Sequence, residues 1–352
     1  MTLSKQIAIF VGGLTTFLLL IMLNHHRIPV LNLNRRPPYK CLLPVLPALV
    51  KDSYDMPDPT SRLYFRLAGR LGNNLMELAS IYGLAKDSGR KIFIHDGSFQ
   101  GSRILKLFPG WLDAVYFVPC IPPLLKLVRD ESPNKFSQKL VSQINGSNED
   151  LHVSGYLGVW KYWWPRYEAD LRKILVINRN LTKQAEKYLL KLTIPIASRI
   201  KEDGNSLAKK DLNSYVTYVG IQVRRGDKSF AKDGWNLPRR SYFKKAMNYF
   251  RKKFPKENLI FVAVSESKFW AKYNIRGPDV VHSTLSSDLL ELALLSKCDH
   301  MIMSSGTYSW WAAWLTGGHV VYYQNHTKNG SDVASWFNDN EFFLPHWVPL
   351  GD

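Results

Sequence analysis

Only three of the 352 residues are cysteine, Cys41, Cys120 and Cys298. They allow at most one internal disulfide with one thiol left over, which excludes a disulfide-stapled scaffold. Cys41 could instead stay free, or pair with a second copy of the chain to give a homodimer. No Asp-x-Asp pair occurs anywhere, and neither the cysteines nor the histidines fall at metal-ligand spacing, so no metal is expected. Acidic residues are also scarce. Asp and Glu number 29 against 47 Lys and Arg, giving a formal charge of +18 and a surface that attracts anions. Charge alone leaves nucleic acid, acidic membrane and phosphorylated small ligands open. A hydrophobic content of 45% with 11 tryptophans excludes a mainly disordered chain, and the length suffices for two domains with separate cores.

One long uncharged run exists, IAIFVGGLTTFLLLIML at 7–23. It is close to the lower limit for crossing a bilayer, long for the apolar part of a signal peptide, and followed by no clean cleavage site. It reads as an uncleaved signal anchor, with a cleaved signal peptide and a buried helix as alternatives. The arginines after it oppose the positive-inside trend. Four sequons, at Asn145, Asn180, Asn325 and Asn329, favour a luminal C-terminal side. The anchor and sequons disfavour a nucleic-acid partner. Seven prolines between residues 24 and 60 mark a semi-rigid stem. The organisation expected is a cytosolic tail at 1–5, an anchor at 6–23, a stem at 24–60, and two globular halves at 61–205 and 206–352.

The first half opens with strand-like RLYFRLA at 62–68, a glycine loop GRLGN at 69–73, and a helix whose apolar face carries Leu75, Leu78, Ala79 and Tyr82. Gly89 ends it and KIFIHD, 91–96, is the next strand. The loop lies at a helix N-terminus, although Gly69 and Gly72 do not make a dinucleotide fingerprint. The second half alternates more clearly. VTYVGIQV, 216–223, is an apolar strand that stops at Arg224, Arg225, Gly226 and Asp227. A helix begun by Pro238 follows, then NLIFVAV at 258–264, a short helix, DVVHS at 279–283, a helix over DLLELALLSKC, DHMIMS at 299–304, a helix over YSWWAAWLTGG and HVVYY at 319–323. Such alternation predicts an α/β fold with a parallel sheet whose ligands bind beyond the carboxyl ends of the strands. RRGDK, SES (265–267) and SSGTYS then share one rim. Arg224 and Arg225 face a cleft as an anion site; the bland alternative is a solvated loop, and for Arg225 an ion pair with Asp227.

GIQVRRGD resembles the G-V-H-V-R-R-G-D segment of the α1,2-fucosyltransferases, glycosyltransferase family 11. GRLGNNLMELASIYGLAK, SGYLGVWKYWW and SSGTYSWWAAWLTGG are similar to further segments of that family, in the same order. The resemblance implies a single-pass type II Golgi membrane enzyme of GT-B architecture, two Rossmann-like domains facing a cleft. It implies GDP-fucose as donor substrate and a galactose-terminated glycan as acceptor. Arg224 would hold the diphosphate, Asn73 would reach the donor from the opposite half, and Thr307 and Ser309 would lie near the phosphates. The chain departs from the pattern at Gln222, where the family has histidine, and at Gly158, where it has glutamine. The resemblance is therefore to a divergent member.

The chemistry points the same way. Departure of a diphosphate must be neutralised, and without Asp-x-Asp for a metal, two arginines can supply charge-assisted hydrogen bonds worth about 1.5–3 kcal/mol each. The general base is open. Asp227 reads first as turn-shaping, and Glu77, the His95–Asp96 pair and His152 are other candidates. Trp310, Trp311 and Trp314 read mostly as core, with stacking on a sugar or base as the alternative. Two other functions stay open, a catalytically silent GDP-sugar-binding protein and a binder of acidic glycans in the Golgi.

Overall fold

A computed structural model describes residues 61–95, 100–118, 120–202, 216–225 and 234–352. The tail, anchor and stem at 1–60, the boundary at 205/206, and Cys41, Asp96 and Asp227 lie outside the described residues. Among the described residues no helix is long and apolar enough to cross a membrane.

The first half is a parallel sheet of β1 (Arg62–Arg66), β2 (Lys91–His95), β3 (Tyr116–Val118), β4 (Lys126–Arg129) and β5 (Leu151–Ser154), in the order β3-β2-β1-β5-β4. Its helices are α1 (Leu71–Ser88), α2 (Gln100–Leu107), α3 (Gln138–Asn145) and α4 (Glu168–Ile174). Leu63 and Phe65 of β1 are buried on the face that shares a core with Leu75, Leu78 and Ala79 of α1. Gly89 closes α1 in the left-handed region at φ 65°, as its position in the sequence suggests. The start differs: α1 begins at Leu71, so Gly72 and Asn73 lie in its first turn rather than in a preceding loop.

A long helix, α5 (Arg179–Glu202), crosses to the second half, where it packs on α8 and β8. That half is a six-stranded parallel sheet of β6 (Thr217–Val223), β7 (Leu259–Ser265), β8 (Val280–His282), β9 (His300–Met303), β10 (Val320–Tyr323) and β11 (Val348–Leu350). Its order is β11-β10-β9-β6-β7-β8. The helices α6 (Arg240–Lys253), α7 (Lys268–Asn274), α8 (Asp288–Leu295) and α9 (Thr307–Thr316) connect successive strands. The run 217–223 is nearly all apolar because β6 is central and covered on both faces. Helix α6 starts two residues after Pro238, whose carbonyl is already taken by Arg225. Ser287 caps α8 by accepting from Leu290 N, while Glu291 is drawn away into an ion pair with Lys268.

Both halves are Rossmann-like, and one apolar core runs through them. It joins Leu63, Phe65 and Leu78 to Leu292, Met301, Trp310, Trp311 and Trp314. Trp163 stacks on Trp311 at 5.8 Å and meets Trp314 edge-on at 5.6 Å. The three tryptophans of α9 are therefore core residues, at most 2% exposed. The chain after β10 returns to the first half: Trp160 Nε1 donates to the Phe343 carbonyl at 2.8 Å, and Lys161 pairs with Glu341 at 2.8 Å. Cys298 is a free buried thiol whose pKa burial pushes up, and Cys120 is disulfide-bonded. All four sequon asparagines are exposed.

Candidate functional site

In an open parallel sheet, ligands bind where the strand order reverses, outside the carboxyl ends. In the second half that point is β6, flanked by β7 and β9, so the segments after β6 and β9 meet there. Arg224 follows β6. Its backbone N–H donates to Ser304 Oγ at 3.0 Å, and Ser304 Oγ donates to Gln222 Oε1 at 3.0 Å. Gln222, the residue that replaces the family histidine, thus fixes the loop after β9 beneath the arginine.

Gly306 comes next, at φ +85°, a conformation that side chains rarely adopt. A Cβ there would lie 2.5 Å from Arg224 Nη1, so the missing side chain is what lets the guanidinium lie against the entrance of α9. No side chain caps α9 at Gly306, and none caps α1 at Arg70. The two helix entrances touch. A Cβ on Gly72 would be 2.3 Å from Tyr308 N, and Thr307 Oγ1 donates to Asn73 Oδ1 at 2.6 Å. Asn73 and Thr307, 234 residues apart, are brought together. Uncapped N–H groups of two helices and one guanidinium converge on one spot, an arrangement suited to a doubly charged phosphate group.

Ser309 is fully buried, and its Oγ has no partner among the described residues. Unlike Thr307, it presents no hydroxyl to the cleft. Arg225 is engaged elsewhere. Its guanidinium lies 3.9 Å over the Trp270 ring and donates to the Pro238 carbonyl at 2.9 Å, while its N–H donates to Glu266.

Glu77 is one turn below Asn73 and fully buried. Its Oε2 accepts from Ala68 N at 3.0 Å and Asn74 Nδ2 at 3.1 Å, and burial raises its pKa to about 8. Such a carboxyl is mostly neutral near pH 7 and braces the backbone before α1. His95 ends β2, and His152 lies on β5, its pKa lowered first by burial and then by Arg129, Arg66 and His95. Gly158 is pressed against Pro133 and Asn134: its N–H donates to the Pro133 carbonyl at 2.7 Å, and a Cβ would be 2.4 Å from that oxygen. A glutamine does not fit there without movement of the 133–134 backbone. Among the described residues no group of three or more His, Cys, Asp or Glu is placed to hold a metal.

Sequence reasoning missed Ser304 and Gln222 as the support of Arg224, because hydrogen bonds between strands leave no spacing signal. It also missed Arg103 of α2, which pairs with Asp288 of α8 across the halves. Residues 147–351 match the model of glycosyl transferase family 11. The chain is similar to the galactoside alpha-(1,2)-fucosyltransferase 2 of Bos taurus, 28% identical over 292 residues, covering 80% of this chain and 77% of that protein. It is 29% identical to the galactoside alpha-(1,2)-fucosyltransferase 1 of Oryctolagus cuniculus, covering 80% and 71%. Among solved structures, an Arabidopsis thaliana FUT1 variant in complex with GDP has a similar fold. Its TM-score is 0.50 at 14% identity, over 77% of this chain and 72% of that one.

Proposed function

Because the chain belongs to glycosyl transferase family 11, we propose that it transfers fucose from GDP-fucose to a terminal galactose of a glycan, in α1,2 linkage. The observation that carries the reading is the contact of Asn73 with Thr307 at the joined entrances of α1 and α9, beside Arg224. The diphosphate of GDP binds there. Arg224 supplies a planar pair of donors to the leaving oxygens, and Asn73 Nδ2 and Thr307 approach from the two halves. Since these groups are fixed by the fold before substrate arrives, they stabilise the charge that appears as the bond to the sugar breaks. Arg225, stacked on Trp270 and bound to the Pro238 carbonyl, braces the strand end that carries Arg224. The acceptor hydroxyl attacks the face opposite GDP in a single displacement, which inverts the sugar carbon.

The cationic cleft does the work of a metal, so transfer is metal-independent. The enzyme is a type II Golgi membrane protein, anchored by residues 6–23, with both halves luminal and glycans on the four exposed sequons. The test is incubation of the full chain with GDP-fucose and N-acetyllactosamine, with methylation analysis of the product and digestion by an α1,2-specific fucosidase. A fucosidase-sensitive product linked at the 2-position is expected. A product linked at the 3- or 6-position would leave fucosyl transfer standing and remove the regiochemistry.

A further inference from the structure

The switch point of the first sheet carries a charged row that the donor site does not use. There β1 is flanked by β2 and β5, and β4 lies beyond β5. Arg66 pairs with His95, and Arg129 pairs with Ser154. Phe65 pairs with Val153, so Arg66 and Ser154 come level one residue later. Parallel strands in register put paired residues on the same face. His95, Arg66, Ser154 and Arg129 therefore form a row across four adjacent strands at their carboxyl ends, about 14 Å long at the usual strand spacing. His152, two residues before Ser154 on the same face, feels Arg129, Arg66 and His95 as nearby positive charge.

Arg66 and Arg129 are exposed, and neither guanidinium makes an ion pair or hydrogen bond to a described residue. The acids that follow Arg129 along the chain are otherwise engaged. Glu131 pairs with Lys139 at 2.9 Å, and Asp130 is buried against Gly155. Setting Arg66 near Arg129 with no described acid paired to either costs free energy in the unliganded protein, a cost that an anionic ligand removes. Beside the row stands Tyr156, 44% exposed. Its turn is held between Gly155 at φ 131° and Leu157 at φ 46°, and Ser80 Oγ donates to the Leu157 carbonyl at 2.7 Å. A non-glycine residue held at positive φ is a strained conformation of the kind found at ligand sites. An exposed ring on a rigid turn offers a surface for a sugar to stack on.

We propose that this row is an anion subsite, and that the acceptor is a glycan bearing a sulfate or carboxylate next to the sugar that receives fucose. The inference rests on the transferase reading above and names its acceptor class. Three probes test it: N-acetyllactosamine, the same disaccharide sulfated at the 6-position of the N-acetylglucosamine, and β-galactosyl-glucuronic acid. Binding to the full chain is measured by saturation-transfer NMR, and transfer from GDP-fucose is measured alongside. At least one anionic probe should exceed the neutral one in kcat/KM by about tenfold or more, the range of a charge-assisted contact. Which of the two does so distinguishes sulfate from carboxylate. In Arg66→Ala/Arg129→Ala that ratio should fall towards one. In Lys252→Ala/Lys253→Ala, which removes the same charge from α6, it should persist. Transfer without anionic preference, or equal loss of preference in both double variants, overturns the anion subsite and leaves the transferase standing. Arginine-dependent binding of an anionic probe without turnover of any probe would keep the subsite and overturn the transferase.

Discussion

Two adjacent arginines at one strand end have different work to do. Arg224 lies on Gly306 at the entrance of α9, whereas Arg225 is stacked on Trp270 and bound to the Pro238 carbonyl. Arg224→Ala should lower the transfer rate by about 10²–10³ or more, and Arg224→Lys should recover little, because lysine keeps the charge without the fork. GDP affinity measured by calorimetry should fall in both; near-normal affinity would mean that Arg224 does not clamp the diphosphate. Glu77 invites a different experiment. Burial, its main perturbation, raises its pKa in the folded protein from 4.5 to about 8. The unfolded chain releases this proton near 4.5 and the folded chain only near 8, so folding takes up a proton between those values. The stability contributed is complete below pH 4.5 and is lost as pH rises towards 8. Glu77→Gln cannot ionise and should keep the amide-to-carbonyl bonds at Ala68 and Asn74 partly in place. Its Tm relative to the parent should therefore climb from pH 5 to pH 8. A difference that stays flat with pH would show that Glu77 is already ionised in the fold.

At the scale of elements, the site is made by two helices whose entrances touch. Gly72 permits that contact, since its α-carbon faces the Thr307–Tyr308 backbone with no room for a methyl group. Gly72→Ala must push α1 from α9. A shift on the order of 1 Å in groups that position a substrate can cost about 10²-fold in rate. Gly72→Ala should thus lose activity in that range while circular dichroism reports an intact fold; full activity would mean that the cleft tolerates the separation. The alternation of strands and helices was legible in the second half for β6 to β10, each a short apolar run bounded by glycine or polar loops, whereas β11 (VPL) carries a proline and gave no strand signal. Residues 217–223 and the helix closed by Gly317 are examples. Arg224, Asn73 and Thr307 were legible as motif positions. Their meeting was not, because it depends on how α1 packs against α9, which no local period encodes. Helix α5 escaped for another reason: Pro195 interrupts its pattern, and its partners α8 and β8 are about a hundred residues further on. Gly158 reads in the sequence as a lost side chain, and only the nearby Pro133 carbonyl explains the glycine.

At the scale of the whole molecule, charge and core make opposite demands. A formal charge of +18 favours anionic ligands and an anionic membrane surface, and it also strains the compact state by self-repulsion. If residues 6–23 anchor the chain in the Golgi membrane, microsomes treated with protease from the cytosolic side should retain a glycan-bearing 61–352 fragment, and its digestion would reverse the topology. Cohesion comes from the shared interior. Two Rossmann-like halves with separate cores would melt separately, but here Trp163 of the first half lies within about van der Waals stacking reach of Trp311 and Trp314 of the second. The chain after β10 adds Phe342 and Phe343 to that same core. Because this cluster draws side chains from both halves, neither half can leave it without exposing the other's tryptophans, although a second cluster around Ile221, Phe243 and Phe261 lies within the second half alone. The described fold should therefore unfold in one transition, with calorimetric and van't Hoff enthalpies in agreement. Trp163→Ala deletes the ring that joins the halves and should cost about 3–5 kcal/mol. It should do so either by lowering a single transition or by splitting it in two as the halves uncouple. Two transitions in the parent, with Trp163→Ala moving only the first, would show that the common core does not couple them.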